Sequence, residues 1–464
     1  MSVFVIVWRV CVLLTFATSA FADTWAIKGM ILTPDTVVEN GVVEIIDKKI
    51  ARVGVGSVDP NVIDVGGIVL PGLIDLHNHV TWNVFPRWVP PRKFGNRYDW
   101  QDFSEYDRVL RTPEYKGLID TKHGCDANLF GEVKALIGGA TSIVGSFAGS
   151  RQEANDCITG LVRNLDFEPD FPAYPAGATV CSGDASGFPV GAKGVVANEI
   201  FPLERVHERY IFYNCELQNG RLRSLIIHLA EGAPSDSSSH REFKMLKEQK
   251  LLTDGLLIVH GTALSQADFV DMHSANVGLI WSPRSNEELY GGTTNISAAL
   301  QAGVPIAIAP DWSPTGSAGM VQELNYAISK YNYFTAQQLV IMASKMPAVL
   351  SRLNDRIGTL NVGSYADLLV IRARSGSAYD SVVNATAADV RLVIVGGEPM
   401  YGDIDLMRKT APNRDLDELT VCGEIKAVNL SGKGSTGSMW HDVNDRLARA
   451  LHRYGTTVGA LECD

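Results

Sequence analysis

A parallel β/α barrel is the fold class this sequence predicts, and three observations predict it. Continuous apolar runs of strand length recur along the chain, helix-length segments separate them, and several runs end in histidine or aspartate. Apolar runs without polar alternation read as strands buried on both faces. In such barrels the functional groups sit at the carboxyl ends of the strands. The first run, Pro71-Gly72-Leu73-Ile74-Asp75-Leu76, leads into His77-Asn78-His79. Side chains alternate faces along a strand, so His77 and His79 point together. Residues 224–227 lead to His228, 255–259 to His260, and 305–310 to Asp311. A further run, Val277-Gly278-Leu279-Ile280-Trp281, stops at Ser282-Pro283. One His-x-His pair is compatible with an ordinary solvated strand end; the recurrence of metal-ligand types at successive strand ends favours a site.

In this order the motifs resemble the amidohydrolase superfamily, metal-dependent hydrolases built on a distorted β/α barrel. The Pro71 to His79 stretch resembles its first-strand motif, and His228, His260 and Asp311 fall where its fifth, sixth and eighth strands end. Ile357-Gly358-Thr359-Leu360-Asn361-Val362-Gly363-Ser364-Tyr365-Ala366-Asp367-Leu368-Leu369-Val370 resembles the segment where members leave the barrel. The likeness covers about residues 24 to 400 and is closest to the mononuclear deaminase and imidazolonepropionase-like branch. It implies a (β/α)8, TIM-like barrel over residues 71–357.

Two β-rich flanks border that barrel. Val42-Val43-Glu44-Ile45-Ile46 and Ile50-Ala51-Arg52-Val53 lie around the turn Asp47-Lys48-Lys49. Residues 366–371 and 390–395, followed by Gly396-Gly397, read the same way. Neither flank has enough strands for a core of its own. Residues 23–70 plus 358–400 are therefore expected to form one small β-sandwich domain, and 401–464 a tail with one helix near 443–454. Residues 1–22 read as a secretory signal peptide, Arg9 and an apolar stretch preceding Ser19-Ala20-Phe21-Ala22. A secreted or periplasmic protein is the expectation, with no membrane span after signal cleavage. Six of the seven cysteines remain beyond that signal, so disulfides are plausible, and a Cys422–Cys463 bridge would tie down the tail. A net charge of −11 without basic runs argues against nucleic acid. The expected partner is a small-molecule substrate, and a homo-oligomer is compatible with the sequence.

Imidazole and carboxylate suit zinc and related divalent ions, and the resemblance implies His77, His79, His228 and Asp311 as ligands. One divalent ion is expected, zinc first, with iron or manganese as alternatives. Binuclear relatives carry a bridging Lys or Glu on strand four; the candidate region 174–190 has neither, Asp184 being its one carboxylate. His260 is where mononuclear relatives hold hydroxide or polarise substrate. Glu231, three residues after His228, falls where the ring deaminases carry a proton-shuttling Glu, although a loop Glu capping the next helix is the plainer reading. Asp311 is expected to act both as ligand and as acceptor from the attacking water. After it, Trp312-Ser313-Pro314 departs from the deaminase pattern, whereas Ser282-Pro283-Arg284-Ser285-Asn286 resembles it and nominates Asn286 for substrate binding. The aromatic and basic loop after strand one adds Trp82 and Arg92 as substrate-binding residues.

The expected activity is hydrolysis of a non-peptide carbon–nitrogen bond by metal-activated hydroxide, in a cyclic amide, imidazolone-like or amidine substrate. Hydrolytic deamination of a heteroaromatic ring is the alternative. A non-catalytic scaffold is a further one, disfavoured because the ligand set, His260 and Glu231 are all present.

Overall fold

The computed structural model describes residues 24–56, 62–145, 160–166, 181, 196–200, 202–430, 439–461 and 463. The signal peptide and the 174–190 region apart from Cys181, Asp184 included, lie outside them. Eight short parallel strands form two arcs. The first arc is β5 (Leu73–Asp75), β6 (Ala140–Ile143) and β7 (Arg163–Asn164); the second is β8 (Val196–Glu199), β9 (Ser224–Leu229), β10 (Leu256–His260), β11 (Gly278–Trp281) and β12 (Ile306–Ile308). A parallel bridge between Asn78 and Asp311 joins the arcs, the Asp311 amide donating to the His77 carbonyl at 3.1 Å. One apolar core takes Ile74, Val144, Leu165, Val196, Ile226, Leu257, Ile280 and Ala307, a residue from or just beyond each strand. Both arcs thus surround one filled interior, the packed core of a β/α barrel.

The flanks build one sheet together. β1 (Thr24–Leu32), β2 (Val37–Ile46), β3 (Lys49–Val55) and β4 (Ile63–Pro71) continue into β13 (Leu368–Ile371), β14 (Val390–Val395), β15 (Glu398–Asp403), β16 (Asp417–Val421) and β17 (Glu424–Val428). The joint between chain ends is the antiparallel β4–β13 pair, Leu368 opposite Pro71. Because the Ile50 amide meets the Ser364 carbonyl at 2.9 Å and the Ala366 amide meets that of Lys48 at 2.8 Å, the β2–β3 hairpin returns onto the start of β13. The predicted turn after β14 uses Gly396 and Gly397 at φ +57° and +77°, and a Cβ on Gly397 would lie 2.2 Å from the Asp47 carbonyl oxygen.

Two expectations need correction. Both flanks join in one hydrogen-bonded nine-stranded sheet whose β2–β3 end packs in one core with β13 and β14, and it runs to Val428 rather than ending at 400. The segment after 400 accordingly holds the helices Ile404–Thr410 and Trp440–His452 as well as β16 and β17, where one helix was expected. The alternating pattern of β16, every second residue buried, was the available signal. Cys422 does bond to Cys463, and Cys181 bonds to Cys215. No helix among the described residues is long and apolar enough to cross a membrane.

Candidate metal centre and active-site cavity

Four strand ends deliver the histidines and the aspartate to one place. His77 Nε2 lies 3.0 Å from His228 Nε2 and 3.2 Å from Asp311 Oδ1, which is itself 3.3 Å from His79 Nε2. The tails of β9, β10 and β12 turn sharply to allow this. Ala230, His260 and Asp311 sit at φ +53°, +66° and +70°, the left-handed region that residues with a Cβ avoid. Strain of this kind persists only where the surroundings over-determine it, and it collects at functional sites.

These donors fit a divalent cation. Burial is the largest influence on His77 and lowers its pKa to about 4, so the ring is neutral near pH 7. Burial likewise holds His228 well below the usual imidazole value. Burial alone would raise Asp311, but the neighbouring His77 and His79 outweigh it and keep the carboxylate ionised. Two neutral imidazoles and a carboxylate thus bring ligand atoms to about 3 Å from one another, and the buried His228 Nδ1 has no hydrogen-bond partner. Nitrogen and oxygen donors in this mixture suit zinc and its first-row neighbours. His77, His79, His228 and Asp311 would hold the ion. His77, His228 and His260 also have ligand atoms within 4.8 Å of one another.

Glu231 follows β9 and is almost fully buried. Its Oε1 accepts from the Tyr290 hydroxyl at 2.6 Å, and its Oε2 lies 3.8 Å from His260 Nε2 and 4.0 Å from Arg97 Nη1. The side chain therefore faces the cluster and does not cap the next helix; Asp236 is the N-cap there. Arg97 is held from below by Glu242, which also accepts from the Ala230 amide at 2.7 Å.

A cavity of about 470 Å³ opens on this cluster, lined by His79, His228, Glu231, His260 and Asp311, by Trp82, Trp100, Tyr106 and Trp312, and by Arg97 and Arg205. The aromatic rings form a continuous wall, with Trp82 5.5 Å and Trp100 5.8 Å from Trp312. Trp82 thus lies where the sequence reading puts it, and Trp312 joins it.

Arg92 does not. It is exposed, its guanidinium 4.5 Å from the Phe94 ring centroid, and Arg97, five residues on, takes the buried position instead. Asn286 lies behind the cavity wall: its Oδ1 accepts from His260 Nδ1 at 2.8 Å while its amide nitrogen faces Thr293 and Thr294. The fourth barrel strand is Val196–Glu199, not 174–190, and it ends in a carboxylate after all. Glu199 lines the cavity and pairs with Arg209 at 3.2 Å, outside the cluster of ligand atoms. His123, His207, His240, His273, His441 and His452 line no part of the cavity. Arg97, Trp100 and Tyr290 went unnoticed in the sequence because none lies at the end of an apolar run.

Comparison with known proteins agrees with this geometry. Residues 224–400 match the Amidohydrolase family. A 5-methylthioadenosine/S-adenosylhomocysteine deaminase of Syntrophobacter fumaroxidans is 25% identical over 439 residues, covering 84% of this chain and 95% of the relative. The enzyme so named from Desulforudis audaxviator is 30% identical over 193 residues, covering 37% of this chain and 45% of that one, so that match spans less than half of the relative. A solved adenosine deaminase from Xanthomonas campestris with bound zinc superposes with a TM-score of 0.64 at 16% identity, covering 93% and 98% of the two chains, a likeness of fold.

Residues 224–400 carry the pattern of the Amidohydrolase family, and the fold of the whole chain is similar to that of solved metal-dependent hydrolases. The chain's class is that of hydrolases acting on carbon–nitrogen bonds outside peptides.

Proposed function

We propose that this protein is a hydrolytic deaminase of a planar nitrogen heterocycle, using one zinc ion per chain. The observation that carries the reading is Glu231, whose carboxylate stands beside His260 at the floor of an aromatic-walled cavity. That cavity falls within the roughly 300–1,000 Å³ used for small ligands. Trp82 and Trp312, packed edge to face at 5.5 Å, line the cavity and supply aromatic surface for a flat ring. A bound divalent ion supplies Lewis acidity that brings the pKa of water towards neutrality. Glu231 takes a proton from the attacking water and returns it to the departing ring amine, so water is consumed and ammonia leaves. With Nδ1 donating to the Asn286 Oδ1, the His260 ring is fixed so that Nε2 lies 3.8 Å from Glu231 Oε2, where it orients the water.

The sequence alone ranked ring opening of a cyclic amide first. The deaminase names of the relatives, together with a proton shuttle suited to an amine leaving group, support the alternative. Ammonia release from 5-methylthioadenosine and adenosine by the zinc-loaded protein tests the choice. Hydrolysis of cyclic amides without ammonia would return the reading to ring opening. We further propose an oxidising compartment, periplasmic or extracellular, supported by the Cys181–Cys215 and Cys422–Cys463 disulfides.

A further inference from the structure

Four of the site's polar groups stand on different strands, yet one helix touches them all. Pro283–Tyr290 follows β11, with Ser282 as its N-cap and Gly291, at φ +72°, closing it. Ser282 Oγ lies 2.9 Å from His77 Nδ1, and Ser285 Oγ donates to Asp311 Oδ2 at 2.6 Å. Asn286 accepts from His260, and the Tyr290 hydroxyl donates to Glu231. Offsets of three, four and eight residues place all four side chains on one helix face. Each is buried.

The direction of these bonds follows from which atoms can donate. Indole nitrogen only donates, so the Tyr290 oxygen accepts from Trp100 Nε1 at 2.8 Å and gives its own proton to Glu231. The same reasoning runs Trp312 Nε1 to Thr315, Thr315 to Ser285, and Ser285 to the Asp311 carboxylate. Each chain starts at a tryptophan of the cavity wall and ends on a reacting group. The opposite helix face is anchored too: the Arg284 amide donates to Glu323, Tyr331 to Glu287, and Arg87 to Glu288.

We propose that this helix is the positioning element of the site and that its two ends do separable work. Ser282 and Ser285 set the affinity for the ion by orienting His77 and Asp311. Tyr290 sets the rate of proton transfer by fixing one oxygen of Glu231 so that the other faces His260. The proposal rests on the ligand and shuttle assignments above.

The test is a competition titration of the metal-free protein with Zn(II) against a chromophoric chelator, beside steady-state kinetics on 5-methylthioadenosine. Ser285→Ala should weaken zinc binding about 10- to 100-fold, the usual cost of losing an outer partner of a ligand, and Ser285→Thr should restore most of it. Tyr290→Phe should leave zinc affinity within about twofold of wild type and lower kcat about 10- to 100-fold with KM unchanged. Equal weakening of zinc by both variants would reduce the helix to a structural support and overturn the proposal, as would no weakening by Ser285→Ala. Absence of ammonia release from the zinc-loaded wild type would instead defeat the deaminase reading, while the zinc titration would still decide this one.

Discussion

The barrel mouth and the composite sheet both bury charge, and they treat it in opposite ways. In the sheet and at its seam with the barrel, buried ions have counter-ions: Arg163 of β7 grips Asp367 at 2.7 and 3.1 Å, and Lys426 meets Asp403 at 2.6 Å and two carbonyls. At the mouth, ligand atoms of His77, His228 and Asp311 crowd to about 3 Å from one another. Left-handed backbone occurs in both regions: the sheet turns on Gly396, Gly397, Asn40, Asp47 and Cys422, and the mouth on Ala230, His260 and Asp311. Charge that is paired specifies the fold. Ligand atoms crowded together at the ends of barrel strands mark the place where a cation and a substrate are expected.

Breaking the mouth should have the largest effect. Asp311→Ala and His77→Ala should each abolish metal retention and turnover together, read by elemental analysis and ammonia assay on one preparation. Glu231→Gln should sharpen the distinction within the mouth: zinc content stays at wild-type level while kcat falls about 10²- to 10⁴-fold. Retained turnover would remove Glu231 from the proton-transfer role. His260→Asn should also keep its metal if one ion is bound; loss of one ion of two would show a binuclear centre. At the seam between barrel and sheet, Arg163→Met leaves Asp367 buried without its partner and should cost about 3–5 kcal/mol in denaturant unfolding, with kcat/KM per folded molecule unchanged.

The smallest predicted effect lies just behind the mouth. Burial raises the Glu114 pKa to about 7, against the opposing hydrogen bond from Thr81. The folded protein keeps this proton up to about pH 7, whereas the unfolded chain releases it near 4.5. Its stabilising contribution is therefore full below pH 4.5 and lost as pH rises through 7. Glu114→Gln should raise the stability of the metal-free protein at pH 8 by roughly 2–3 kcal/mol more than at pH 4, seen in parallel unfolding curves. An equal change at both pH values would contradict the assignment.

What the sequence disclosed and what it hid follow from the same physics. Strands β9 to β12 are apolar because they are buried on both faces, and each delivers its functional residue at or just past its end, so His228, His260 and Asp311 were legible as a series. β7 and β8 are short and partly polar, Arg163-Asn164 and Val196-Ala197-Asn198-Glu199, so strand four was placed too early. Arg92 and Arg97 share one loop, and nothing in their types says which turns inward; Glu231 and Glu242, from other strands and helices, decide it. Tyr290 was invisible for a related reason. Its partner Glu231 is 59 residues away, and only the fold brings them together.

The most direct test of the central claim is to count metal per chain in the purified protein and follow ammonia release before and after chelation. The account predicts close to one equivalent of zinc, loss of ammonia release when it is stripped, and recovery on adding one equivalent back. Full activity in the stripped protein, or no zinc bound after reconstitution, would contradict it.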